Sequence, residues 1–151
     1  MASAAAIPKA ARSFELGRTR EDLFDPDDFG VEAAHDSLRE GIALFEAGDY
    51  HSAHEAFERC WLSAEGGDAD FFKGLIQAAI CLHHLLEGNL EGARKLYAGH
   101  RRLLAPFLPE HRGVDLTGFL AEMQRTLGPV LRGEACVDPG LRPRLPARKK
   151  L

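Results

Sequence analysis

Between Val31 and Leu127 apolar residues return at intervals of three and four, the spacing that lines one face of a helix. Val31, Ala34, Leu38, Ile42 and Phe45 form the first stripe, and Gly48 stops it. Tyr50, Ala53, Phe57, Cys60, Trp61 and Ala64 form a second, predicting a helix over about Tyr50 to Ala64 that the pair Gly66-Gly67 ends. From Phe71 to Glu87 apolar residues occupy most of the circumference, which predicts the central helix of the domain, with Asp68 or Asp70 as its cap. Gly88 closes that helix and Asn89 caps a fourth, whose inward stripe is Leu90, Ala93, Leu96, Tyr97, His100, Leu103 and Leu104. Pro106 and Pro109 break the pattern, and a fifth helix runs from Asp115 to about Leu127 through Leu116, Phe119, Leu120, Met123 and Leu127.

The segment Phe45 to Phe57 repeats as Leu85 to Tyr97, pairing Gly48 with Gly88, Asp49 with Asn89, Ala53 with Ala93 and Phe57 with Tyr97. Each copy reads as helix, glycine stop, capping residue, helix, with an alanine where two helices must come close. This resembles the helical-hairpin grammar of tetratricopeptide repeats, but two copies are too few for a solenoid. The pattern therefore predicts an all-α, compact bundle of about five helices, built from two helical hairpins plus a closing helix. Residues 1–29 are expected to be a flexible N-terminal segment, with the acidic turn Asp25-Pro26-Asp27-Asp28 capping the first helix. The helical domain is expected over 30–131, and 132–151 as an irregular, partly mobile tail.

Composition narrows the functional classes. A chain of 151 residues with 45% hydrophobic and 28% charged side chains is apolar enough for one packed domain. A net charge of -4 gives no case for nucleic acid or an anionic membrane, and the basic end Arg148-Lys149-Lys150 is too short to change that. Three cysteines at wide spacings, Cys60, Cys81 and Cys136, indicate reduced thiols in a cytoplasm rather than a disulfide framework, and the first two fall on apolar faces as core residues. The longest apolar stretch, Gly74 to Leu86, is interrupted by Gln77, His83 and His84, so no membrane helix is expected. Met1 to Arg20 is alanine-rich with Glu15 as its acid, yet lacks the apolar core of a secretory signal.

The candidate chemistry lies on the second helix. His54, Glu58 and Trp61 stand at i, i+4 and i+7, on one face bordering the core stripe. A histidine and a carboxylate beside an indole are partly desolvated, which is raw material for acid–base work and equally for a structural hydrogen bond. The string His54-Glu55-Ala56-Phe57-Glu58 resembles the zinc-protease HExxH pattern with Glu58 in place of its second histidine. No metal is assigned; one bound here would take His54, Glu58 and either His84 or His83. On the third helix Gln77 and His84 are polar positions seven apart, and an antiparallel pairing of the two helices lets His54, Glu58, Gln77 and His84 line a pocket floored by Trp61. A wheel puts His84 with Lys73, Gln77 and Glu87, and His83 with Phe72, Ile76, Ala79 and Leu86, so either histidine can face the stripe. The same polar residues also fit a solvated face. His51, His100 and His111 are read as surface residues, although His100 falls on the inward stripe of its helix.

Gly41, Phe45, Gly48 and Tyr50, the His54-Glu55-x-x-Glu58-x-x-Trp61 string, Gly74-Leu75-Ile76-Gln77, His83-His84 and Gly88-Asn89-x-x-Gly92-Ala93 together resemble domain-of-unknown-function family 309. The resemblance runs over roughly Val31 to Leu131, with Gly113-Val114-Asp115 similar to a late feature of the family. It implies a compact helical fold and no established activity. It also implies that His54, Glu58, Trp61, Gln77 and a histidine at 83 or 84 form one cluster.

Three functions follow from these residues. The first is a binding domain in which His54, Glu58, Trp61, Gln77 and His84 receive a small polar ligand or a peptide. The second is a helical-hairpin module for protein interaction or structure, open to a protein partner or to homo-oligomers. The third is a metal-assisted or acid–base hydrolase using Glu58 and His54, and the residues leave open whether the chain is an enzyme.

Overall fold

The computed structural model describes residues 31–138, 140 and 142–146, so the expected N-terminal segment and its acidic cap lie outside the described residues. Five α-helices occur among these residues: α1 (Val31–Glu46), α2 (Tyr50–Ser63), α3 (Asp68–Leu86), α4 (Leu90–Leu104) and α5 (Leu116–Leu131). None is long and apolar enough to cross a membrane. α1 packs on α2, α2 on α3 and α3 on α4, so α1–α2 and α3–α4 are successive hairpins, and α5 closes against α4. The all-α architecture holds, with one small addition. A turn of 3-10 helix at Ala105–Phe107 leads into a two-residue antiparallel ladder, β1 (Glu110–His111) with β2 (Val114–Asp115), which pairs Glu110 with Asp115 and His111 with Val114. Arg112 and Gly113 turn the ladder with φ of 51° and 79°, the two positive values a tight hairpin of this twist requires.

The two hairpin turns are built alike. Gly48 and Gly88 take φ of 89° and 84°, a region side chains rarely enter, and so turn the chain where a helix must stop. The Asp49 carboxylate then accepts from the Ser52 N–H at 3.2 Å, and the Asn89 amide oxygen accepts from the Gly92 N–H at 3.0 Å. Ala53 and Ala93 are both fully buried at the close approach. Asp115 caps α5 in the same manner by accepting from the Gly118 N–H at 2.9 Å.

α3 is the centre of the domain. Phe71, Phe72, Leu75, Ile76, Ala78, Ala79, Ile80, Cys81, Leu82 and Leu85 are all buried along it. On the α1–α2 side Phe57 fills the space over Gly41, where an added Cβ would lie 2.4 Å from the ring. Phe45 sets its ring edge-on to Tyr50 at 5.2 Å and to Phe119 of α5 at 5.6 Å, tying the closing helix to the first hairpin.

The structure departs from the sequence reading in several places. Asp68 and Asp70 lie inside the first turn of α3, whose N-cap is Gly67 without a side-chain bond. Asp68 is engaged elsewhere: one oxygen meets His111 Nε2 at 2.8 Å and the other receives Arg112 at 2.6 and 2.9 Å, pinning the β-turn to the start of α3. Burial works to raise the Asp68 pKa, but the bonds and charges of His111 and Arg112 prevail and hold it low. α5 continues past Leu127 and through Pro129, because burial of Leu127 and Val130 offsets the hydrogen bond that proline cannot make. Residues 142–146 have neither helix nor strand and lie back on the bundle rather than away from it. The Leu145 side chain is buried, its N–H donates to Glu46 at 2.9 Å, and the Pro146 carbonyl accepts from the Asp115 N–H at 2.9 Å.

His100 is the clearest reversal. It is a core residue, with 0% exposure, set against the rings of Tyr97 and Phe119. Its Nδ1–H donates to the Leu96 carbonyl at 3.3 Å, while Nε2 is buried without a hydrogen-bond partner. Burial pushes its pKa down to about 4 from 6.5.

Two outcomes are expected. Gly41→Ala destabilises the domain by about 1–2 kcal/mol in urea melts, since a methyl forced into the Phe57 ring costs more than the gain in helix propensity, whereas Gly67→Ala, with open space around it, is near neutral. The unfolded imidazole titrates near 6.5 and the folded His100 near 4, so the folded state binds fewer protons between them. Stability is therefore complete above pH 6.5 and falls as the pH drops toward 4, by on the order of 3 kcal/mol from this residue. Urea melts of His100→Leu between pH 7.5 and 4.5 should be shallower in pH than the wild type by that amount; equal slopes would show that His100 titrates normally when folded.

Candidate functional site

The predicted cluster forms around His54, with different companions. His54 is 1% exposed on α2, and its Nδ1 lies against the backbone carbonyl of His51, one turn back in the same helix. A carbonyl can only accept, so the proton sits on Nδ1 and Nε2 is the lone-pair nitrogen. Burial drives the His54 pKa down to about 4; the bond to the His51 carbonyl opposes this, and the neighbouring His51 and His83 reinforce it. The ring is neutral in neutral solution, with its tautomer fixed.

His51 and His83 complete the group. The His51 ring stands edge-on to His54 at 5.1 Å between centroids and 6.0 Å from His83, which reaches over from the C-terminal end of α3. Their rims carry carboxylates from one turn further along: Glu55 lies 3.5 Å from His51, and Glu87 lies 3.6 Å from His83. The His51–Glu55 pair is exposed and contributes little to stability, while in the other pair Glu87 is exposed and His83 half-buried. The result is a row of three imidazoles, His54 buried, His83 half-buried and His51 exposed, where the first turns of α2 meet the last turns of α3.

Two of the other predicted residues, Gln77 and His84, turn toward α4 and the loop before it. Of the two histidines left open, His83 is the one beside His51, while His84 turns into the α3–α4 loop, 3.4 Å from the Asn89 amide. Gln77 points to α4, its amide oxygen occupying the space a Cβ on Gly99 would need, at 2.1 Å. Trp61 is buried in the core, roughly 10 Å further along α2 than His54 by helical rise. Glu58 is half-buried between them. His51, taken from sequence as a plain surface residue, is the member that reasoning missed. Its signal was the spacing His51-x-x-His54, which sets two rings on one helix face, as His83-x-x-x-Glu87 does on α3.

Burial pushes the Cys60 and Cys81 thiols up to about 12, and the Cys81 Sγ donates to the Ala93 carbonyl at 3.2 Å. Among the described residues no group of three or more His, Cys, Asp or Glu converges as metal ligands would.

An uncharacterized protein of Aquifex aeolicus (strain VF5) is 29% identical to this chain over 100 residues, covering 66% of this chain and 30% of that protein's length. A family match falls on the two hairpins and takes in the imidazole row together with Glu58, Trp61, Gln77 and His84. It ends before the β-turn, so Gly113-Val114-Asp115 lies beyond it, and it is narrower than the span of the sequence resemblance. Residues 38–96 match the model of the family described as Domain of unknown function (DUF309), the family that the residue pattern resembles.

Proposed function

We propose that this domain is a binding module that receives a small polar ligand at the His51–His54–His83 edge of the α2–α3 pair. One observation carries the reading: a neutral imidazole, fixed as the Nδ1–H tautomer, is buried beside the His51 ring, which in turn stands beside His83. Keeping such a group neutral costs the protein stability on acidification, and a pre-set acceptor nitrogen is the kind of group that orients a ligand. Its preferred partner is a ligand with N–H or O–H donors, since a fixed lone pair accepts and the rim carboxylates Glu55 and Glu87 also accept. A protein partner has less to grip, because Leu86 and Leu108 are the large apolar side chains exposed among the described residues and they form no extended patch. Cys60, Cys81 and Cys136 take part in no disulfide among the described residues, which favours a cytoplasmic setting.

Imidazole nitrogen NMR spectra test this directly. Titration with acetamide, ethylamine or ethylene glycol is expected to move the His51, His54 and His83 signals together and saturably, with His83→Ala weakening the response about tenfold. Sodium acetate, which brings no donor at neutral pH, should leave them in place. The reading fails if no donor-bearing probe saturates, or if His83→Ala responds as the wild type does.

A further inference from the structure

A second feature lies on different helices. α4 and α5 enclose a cleft of about 360 Å³, lined among others by Arg94, Tyr97 and Arg101 from α4 and by Gln124, Gly128 and Arg132 from α5 and its end. The α4 residues stand at i, i+3 and i+7 and the α5 residues at i, i+4 and i+8, so each helix gives the cleft one continuous face. Its charge is one-sided. Three guanidinium groups line it and no acidic side chain among the described residues does, in a chain whose net charge is -4.

The guanidinium groups are also held in place. Arg94 Nε donates to the Leu131 carbonyl and Arg101 Nη1 to the Leu120 carbonyl, each at 3.1 Å, so both span from α4 to α5 with one of their five N–H groups. Arg101 further lies over the Tyr97 ring, 5.6 Å from its centroid. Arg132 is braced from outside the cleft by both oxygens of Glu134, at 2.9 and 3.1 Å, in an exposed pair that water screens. Backbone carbonyls orient the two α4 arginines without neutralising them, which leaves planar forks suited to an oxyanion.

We propose that the α4–α5 cleft is a binding site for a small oxyanion, a phosphate- or carboxylate-bearing metabolite, gripped by Arg94, Arg101 and Arg132 with Gln124 as a further polar contact. The volume sits at the lower end of small-molecule pockets, which suits a metabolite-sized ligand rather than a protein segment. The oxyanion supplies a counter-charge to Arg94 and Arg101, whose cross-helix bonds are to backbone carbonyls. This site is independent of the imidazole edge, and either can fail without the other.

The test is a titration of the full chain with sodium pyrophosphate and with sodium citrate at constant ionic strength, read by the arginine Nε–Hε signals and by calorimetry. Saturable binding with a Kd below about 1 mM is expected, with the Arg94, Arg101 and Arg132 signals moving together. The tighter of the two anions tells phosphate from carboxylate. Arg132→Gln, an exposed position whose change should leave the melting temperature in place, is expected to weaken binding about tenfold. Arg94→Gln should do the same, and Arg39→Gln, at an exposed position on α1 outside the lining, should not. The proposal is overturned if the signals follow ionic strength alone, if Arg132→Gln binds as the wild type does, or if the anion moves the His51, His54 and His83 signals instead.

Discussion

The burial of α3 on nearly every side is the constraint from which the rest of this domain follows. A helix with apolar residues around most of its circumference must be enclosed, and one neighbour cannot do that. The chain solves the problem with a hairpin on one side, a hairpin partner on the other and a closing helix, and each connection is short enough to keep successive helices adjacent. The small residues at the contacts, Gly41 beneath Phe57 and Gly99 beneath Gln77, are the local form of the same demand. Close approach removes room for a side chain on one helix so that its neighbour can fill the space.

That constraint also explains why the polar residues of α3 separate. Lys73, Gln77, His83 and His84 are the side chains of the helix interior that escape full burial, and they do so toward different neighbours. Gln77 falls at the crossing with α4, and His83 falls at the end, where α2 begins. A helical wheel groups Gln77 with His84, and both turn toward α4 and its loop; it does not tell that His83 is the one that stands beside His51 of α2.

Local rules were therefore legible and three-dimensional ones were not. The stops at Gly48 and Gly88 and the caps at Asp49, Asn89 and Asp115 depend on a few adjacent residues, and the periodicity announced the five helices and the central place of α3. Asp68 had the right chemistry for a cap but was taken by His111 and Arg112, more than forty residues away in sequence. His100 lies on the inward stripe of its own helix, and only a general expectation about lone histidines argued for the surface. At the site, the sequence pointed to His54 and to the α2–α3 pairing. It could not choose between His83 and His84, because that choice depends on the angle at which the two helices meet.

The docking of residues 142–146 bears on how the chain acquires this form. Most packing joins helices that follow one another, the kind of contact that forms early and fast. The bond from Leu145 to Glu46 spans 99 residues, so its partners meet only after nearly the whole described chain has been laid down. During synthesis the end of α1 and the start of α5 must wait for residues 142–146 to leave the ribosome, and the nascent hairpins stand without their clasp until then. The five helices are thus assembled from neighbours outward, and the clasp joins α1 to α5 only after both have formed.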